Sequence, residues 1–279
     1  MTTKTAFITG GASGIGRALA EELAKQGVEV VLADRQIELA EEVVAAIRQA
    51  GGQAAAHELD VRDPAQFQRV VDEIVARTGR IDYFFNNAGI GVGGEVAGYS
   101  LADWDDVFDV NIRGVAYGIQ AVYPVMRAQR YGHIINTASI AGLLPTGEAC
   151  SYAASKHAVV GLSKALRVEA REHGVRVSAL CPGVIRTPIL MAGKYGRTNL
   201  APDAEDTMMK LWEQLRPMDP RAFALQALRQ VERNVPIIVV PSWWKMPWWV
   251  ERLSPRLSLW LWGKIYERMQ RDLAPYRLQ

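Results

Sequence analysis

The sequence predicts an α/β fold, a doubly wound parallel seven-stranded sheet with helices on both faces. Three observations predict it. Short apolar runs alternate with longer stretches in which apolar residues recur at helical spacing. The run Val28–Ala33 is apolar throughout, which suits a central parallel strand buried on both faces. The repeated strand–helix units provide the long return connections that parallel pairing needs.

Lys4–Thr9 reads as the first strand, ended by Gly10-Gly11. Ile15, Ala18, Leu19 and Leu23 then fall on one helical face. Val28–Ala33 is the second strand, and Leu39–Ala50 a helix stopped by Gly51-Gly52. Ala54–Leu59 is the third strand. Pro64 suits the first turn of a helix running to about Arg77. Ile81–Phe85 is the fourth strand, followed by helices near Leu101–Asn111 and Ile112–Gln129. Ile134–Ala138 is the fifth strand, Tyr152–Glu172 a long helix and Val175–Leu180 the sixth strand. Pro188–Leu215 is irregular and partly helical, Pro220–Arg233 a helix, and Ile237–Val240 the last strand. The pattern closes at Pro241. Residues 1–241 are therefore read as one domain, and 242–279 as a basic extension holding six of the eight tryptophans.

Composition narrows the function. The 279 residues carry 32 Lys+Arg against 30 Asp+Glu, and 49% are apolar. That balance excludes a disordered chain and argues against a nucleic-acid partner. Cys150 and Cys181 cannot build a disulfide framework, which points to free thiols and a cytoplasmic protein. The N-terminus enters a strand almost at once, so no signal peptide is expected. No apolar run approaches the ~18 residues of a spanning helix.

The turn Thr9-Gly10-Gly11-Ala12-Ser13-Gly14-Ile15-Gly16 lies between the first strand and the first helix. Glycine lets backbone approach a ligand, and a helix N-terminus offers free N–H groups to an anion. That context suits a pyrophosphate. Asp34 ends the second strand, where its carboxylate can accept from both adenosine ribose hydroxyls and repel a 2′-phosphate. NAD is therefore expected over NADP. Arg35 keeps the alternative open, since a guanidinium could stack on adenine or meet a 2′-phosphate.

The glycine spacing G-x-x-x-G-x-G resembles that of the short-chain dehydrogenase/reductase family, a Rossmann-like fold, and further motifs follow in order. Asn86-Asn87-Ala88-Gly89 is similar to the family's N-N-A-G, and Asp60-Val61 to its adenine-contacting pair. Asn111, Ser139, Tyr152 and Lys156 match its catalytic tetrad, and Pro182-Gly183 with Thr187 its nicotinamide loop. The resemblance covers about Lys4 to Pro241. It implies a cofactor site of Gly10, Ser13, Gly14, Ile15, Gly16, Asp34, Arg35, Asp60, Val61, Asn87, Ala88, Gly89, Tyr152, Lys156, Pro182, Gly183, Ile185 and Thr187. It also implies a homodimer or homotetramer, with a dimer formed through the helices Ile112–Gln129 and Tyr152–Glu172.

The chemistry can be argued from the residues. Tyr152 and Lys156 are four apart, hence neighbours on one helix face. A phenol titrates near ~10 and is a poor base at neutral pH, but a nearby ammonium would lower that value. Ser139 follows a strand at the carboxyl edge, where open α/β sheets bind ligands, and can hold a substrate oxygen. Asn111 falls between two helical stretches, where it could hold a water near Lys156 or simply cap a helix. His57, His133, His157 and His173 show no metal-ligand spacing, and no metal is expected. Cys150 reads as a small hydrophobe near the pocket.

Ile189, Leu190, Met191, Leu200, Met208, Met209, Leu211 and Trp212 occupy the family's substrate-loop position. They suit a bulky apolar substrate, or serve only to pack the loop. The extension sets Trp243, Trp244, Trp248, Trp249, Trp260 and Trp262 among Lys245, Arg252, Arg256, Lys264, Arg268, Arg271 and Arg277. Tryptophan among cations is the composition of a membrane-interface element. On a wheel from Arg252 to Leu273, however, Arg268 falls between Leu257 and Leu261, so the faces are not cleanly separated. The alternatives are an arm packed on the protein's own substrate opening, on a sister subunit, or on a membrane surface. The expected activity is NAD-dependent interconversion of a hydrophobic secondary alcohol (steroid, retinoid or long-chain) and its ketone, with Tyr152 as acid/base. The alternatives are an NADP-dependent carbonyl reductase and a non-catalytic nucleotide-sensing or membrane-surface protein.

Overall fold

The computed structural model describes residues 3–191, 193–198, 201 and 204–276. The strands are β1 (Thr5–Thr9), β2 (Glu29–Asp34), β3 (Ala54–Glu58), β4 (Tyr83–Asn86), β5 (Val92–Gly93), β6 (Gly132–Thr137), β7 (Val175–Pro182), β8 (Arg197–Thr198) and β9 (Ile237–Val240). Seven of them form one parallel sheet in the order β3-β2-β1-β4-β6-β7-β9. Strand order reverses beside β1, which opens a crevice between the carboxyl ends of β1 and β4.

Side chains alternate across the sheet. Phe7, Val31, Phe84 and Ile134 enter one core, while Ile8, Leu32, Phe85 and Ile135 enter the other. The helices α1 (Gly14–Lys25), α2 (Ile37–Gln49) and α8 (Pro220–Glu232) cover the second core. The first core lies under α3 (Pro64–Thr78), α5 (Gly114–Gln129) and α6 (Cys150–Ala170). There Phe7 stacks on Phe84 at 5.1 Å between centroids, with Phe67 edge-on to both. The predicted doubly wound seven-stranded sheet is the one observed.

Some boundaries move for local reasons. Ile81 precedes β4, because its N–H donates to the Gln129 side chain and not to a neighbouring strand. The two helices expected over 101–129 join as α4 (Leu101–Phe108), a π turn at Asp109–Arg113, and α5. The stretch after Pro188 contains a 3₁₀ turn at Pro188–Met191, the short β8 paired with β5, and α7 (Glu205–Gln214).

The extension folds into α9 (Lys245–Leu253) and α10 (Pro255–Leu273). Ser254 caps α10 through Leu257 N, ahead of Pro255. One face of this arm turns to the body. Trp248 and Trp262 pack on the first core, and Leu273 seals a small cluster with Ala204, Met208 and Leu211. The Tyr266 ring fills the space above Gly147, and Gln270 hydrogen-bonds Glu148. The arm therefore covers its own substrate loop, one of the expected arrangements. Leu200 and Arg277 lie outside the described residues.

Candidate active site

The glycine turn is fastened across the crevice. The Thr9 hydroxyl accepts from Asn87 N at 3.0 Å and Ala88 N at 3.1 Å. Asn87 Nδ2 donates back to Thr9 O and Gly10 O. Gly14 opens α1 with φ +52°, and a Cβ there would stand 3.1 Å from the Thr187 methyl. Only glycine takes both that dihedral and that approach cheaply. The Ser13 side chain makes no cap, so the first-turn N–H groups, including those of Ile15 and Gly16, are not taken up by it. Thr187, on the loop after β7, thus lies against the positive end of α1.

Asp34 is 8% exposed and already ordered. It accepts from Ala12 N at 3.1 Å through one oxygen and from Gln36 N at 3.0 Å through the other. Each carboxylate oxygen keeps capacity for a further donor. Arg35 turns elsewhere: its guanidinium lies 4.4 Å from the Tyr195 ring centroid, and its Nε 3.6 Å from Asp60. Burial pushes the Asp60 carboxyl up, but hydrogen bonds and charge from Arg62, with Arg35 behind, hold it below its ordinary value. The Val61 and Ile185 side chains are buried in the two cores, and only their backbones remain for a ligand.

Three elements deliver the tetrad. Asn111 sits in the π turn; its Oδ1 accepts from Ile90 N at 2.9 Å, and its Nδ2 donates to Ile90 O and Ser155 Oγ. Ser139 ends the segment after β6, where its hydroxyl accepts from Ala141 N at 3.1 Å. Tyr152 and Lys156 lie on the first turns of α6. Lys156 Nζ donates to Thr137 O at 2.9 Å and stands 5.4 Å from the Tyr152 ring centroid. A Cβ on Gly89 would lie 3.2 Å from Lys156 Nζ and 3.3 Å from Asn111 Oδ1, so a glycine-sized gap joins the two.

The expected lowering of the phenol by Lys156 is not what the protein shows on its own. Burial pushes Tyr152 up, and a hydrogen bond with Ser139 pulls partly back. Burial also pushes Lys156 down to about 8. The ammonium faces the ring and the Thr137 carbonyl, a geometry that leaves Ser139 as the group acting on the phenol oxygen.

These residues fit a dinucleotide. The α1 N-terminus beside Gly14 and Thr187 could hold a phosphate, and Asp34 could accept from a ribose. Ser139, Tyr152 and Lys156 gather at the neighbouring strand ends. A family model described as short chain dehydrogenase matches residues 4–196. The chain belongs to the short-chain dehydrogenase/reductase family. It is 41% identical over 192 residues to levodione reductase of Leifsonia aquatica, covering 68% of this chain and 72% of that one. It is 40% identical over 188 residues to cyclohexanol dehydrogenase of Acinetobacter sp. (strain SE19), covering 67% and 75%. Its fold matches a short-chain dehydrogenase/reductase from Burkholderia phymatum in complex with NAD, with a TM-score of 0.82 and 32% identity over 92% of this chain and 95% of that one. A metagenomic short-chain oxidoreductase in complex with NADP gives a TM-score of 0.63 and 36% identity over 67% and 85%. The dehydrogenase is thus an NAD(P)-dependent oxidoreductase.

Several members of the dehydrogenase's site escape sequence reasoning. Thr9 stitches the crevice, and its only signal is its place at the head of the glycine turn. Ser155 bridges Asn111 to Tyr152 O at 2.7 Å, three residues along the same helix. Thr137 acts through its carbonyl, which no residue type announces. Trp244 is 4% exposed, and its indole fills the place a Cβ on Gly183 would need. The histidines have other partners: His57 faces Glu73, His133 Ser178, His157 Ala153 O and His173 the Tyr123 ring. Cys150 is exposed, and burial pushes the Cys181 thiol up to about 12.

Proposed function

We propose that the protein interconverts a hydrophobic secondary alcohol and its ketone, with NAD as the redox partner. One observation carries the reading: Ser139, Tyr152 and Lys156 converge at the carboxyl edge of the sheet, beside a helix N-terminus shaped for a phosphate. The Ser139 hydroxyl accepts from Ala141 N and has one proton to give, which a bound substrate oxygen would take in place of the Tyr152 oxygen, and this orients the substrate toward Tyr152. Tyr152, as the phenolate, then takes the hydroxyl proton in oxidation, and as the phenol returns it in reduction. Lys156 holds positive charge against the phenol ring and fixes its place through Thr137 O. When bound, the nicotinamide supplies the acceptor and donor of hydride. Asn111 acts as a strut that ties the segment after β4 to α6.

The names of levodione reductase and cyclohexanol dehydrogenase support a cyclic substrate within the hydrophobic class. In the loop after β7, Leu190 and Trp212 pack on the body, and Met208 and Leu211 on Leu273, so part of that apolar surface is structural. Asp34 supports NAD, because Arg35 is turned to Asp60 and Tyr195.

The experiment follows reduced nicotinamide by near-ultraviolet absorbance across cyclic, linear and small polar secondary alcohols. Lipophilic rings should lead, and Tyr152→Phe should lose about a hundred- to ten-thousand-fold in turnover while still binding cofactor. Small polar alcohols turned over equally well would remove the hydrophobic class. Asp34→Ala should improve use of NADP relative to NAD by about tenfold or more, since a buried carboxylate no longer repels the added phosphate. An unchanged ratio would take cofactor choice away from Asp34.

A further inference from the structure

We infer that α9 and the first half of α10 form a docking surface for an anionic lipid bilayer, lying in the plane of that surface. The arm has two apolar faces. The inner one, through Ser258, Trp262, Tyr266, Met269 and Leu273, is occupied by the body. The outer one carries Met246, Trp249, Leu253, Leu257, Trp260 and Leu261, all exposed, with Leu253 81% and Trp260 60% accessible. Within each helix these residues recur three or four apart, Met246, Trp249 and Leu253 on α9 and Leu257, Trp260 and Leu261 on α10, so each helix carries an apolar stripe on its own side of the non-helical Ser254.

The charge around this stripe selects the partner. Residues 242–279 hold seven Lys/Arg against three Asp/Glu, so the other 241 residues are net negative in a chain of net charge +2. Arg252, Arg256, Arg268 and Arg271 are exposed on this arm, Arg268 between Leu257 and Leu261 on the wheel, while Lys264 is paired with Glu267 at 2.9 Å. Arg252 lies 5.7 Å and 5.8 Å from the Trp248 and Trp249 rings. Tryptophan and leucine flanked by cations match the acyl–headgroup boundary of a bilayer with anionic lipids. A second copy is a poorer occupant, because twofold pairing would set these cations against each other, whereas protein interfaces exclude charge from their centres. Among the described residues no helix is long and apolar enough to cross a membrane, so the contact is in-plane. It stands whichever alcohol the enzyme uses.

The test is co-sedimentation of the full chain with phosphatidylcholine vesicles, with and without phosphatidylglycerol, at low and high salt. The protein should pellet with anionic vesicles, bind neutral ones about tenfold less, and be released by high salt. Trp249→Glu with Trp260→Glu should leave it in the supernatant with its oxidoreductase turnover intact. Arg256→Gln with Arg268→Gln, which keeps the apolar stripe, should remove only the preference for anionic lipid. Equal failure to sediment with either vesicle overturns the inference. So does a tryptophan-pair variant whose sedimentation-velocity mass falls to that of a smaller oligomer while the unmodified chain ignores vesicles, since the stripe then belongs to a second copy.

Discussion

Lys156 occupies a place where an ammonium is costly. It is 2% exposed and makes one hydrogen bond, to Thr137 O. Burial brings its titration down from 10.5 to about 8. Between those values the folded chain has released a proton that the unfolded chain keeps, so stability rises with pH across that window. Below it, holding the charge costs on the order of 3 kcal/mol. Thermal melts should therefore find Lys156→Met more stable than the unmodified protein at neutral pH, with the difference shrinking from pH 8 toward 10. A difference that stays constant across that range would show that the ammonium does not titrate there. The same burial explains why residue spacing misleads at Tyr152. Four residues of separation guarantee that the two side chains are neighbours, but not that the ammonium meets the hydroxyl. That depends on Thr137, a carbonyl from β6 that no local pattern displays.

Elements were legible where their ends are chemically marked. Asp63 caps α3 through Ala65 N and Gln66 N ahead of Pro64, and Gly79 closes it at φ +71°. Asp219 and Pro220 mark α8 in the same way. The strands were legible because a parallel sheet buried on both faces needs unbroken apolar runs. The π turn at Asp109–Arg113 was not, since Asp-Val-Asn-Ile-Arg is compatible with an ordinary helix. What widens it is the Asn111 carboxamide, held by both backbone groups of Ile90 and by Ser155. Those partners are remote in sequence and therefore invisible to periodicity. Asn111→Leu keeps the volume but leaves the part-buried N–H and carbonyl of Ile90 without this partner, while Ser155 keeps its bond to Tyr152 O, and should lower stability by about 2 kcal/mol. Urea unfolding measures this, and an unchanged midpoint would mean that the turn is set by packing alone.

At the scale of the whole molecule, the dinucleotide crevice could be placed from motifs alone, because its parts lie at strand ends that topology brings together. The extension resisted the same treatment for a physical reason. A helix with one partner shows one apolar face, whereas α10 shows two, and their overlap on the wheel blurs both. The inner stripe becomes visible only once Ser258, Trp262 and Tyr266 are seen against the body. Trp244 belongs to the same lesson. It packs into the first core beneath Gly183, far from it in sequence.

The seal between Leu273 and the loop after β7 also sets an order in time. A ribosome releases this chain from its amino end, so the segments of the crevice are synthesised before those of the arm. The glycine turn, Asn87 and the Tyr152 helix are all made before β9, and long before α10. Met208 and Leu211 gain part of their shelter from water only when Leu273 arrives. A nascent chain therefore carries the crevice's parts beside an uncovered loop until α10 follows and packs on it.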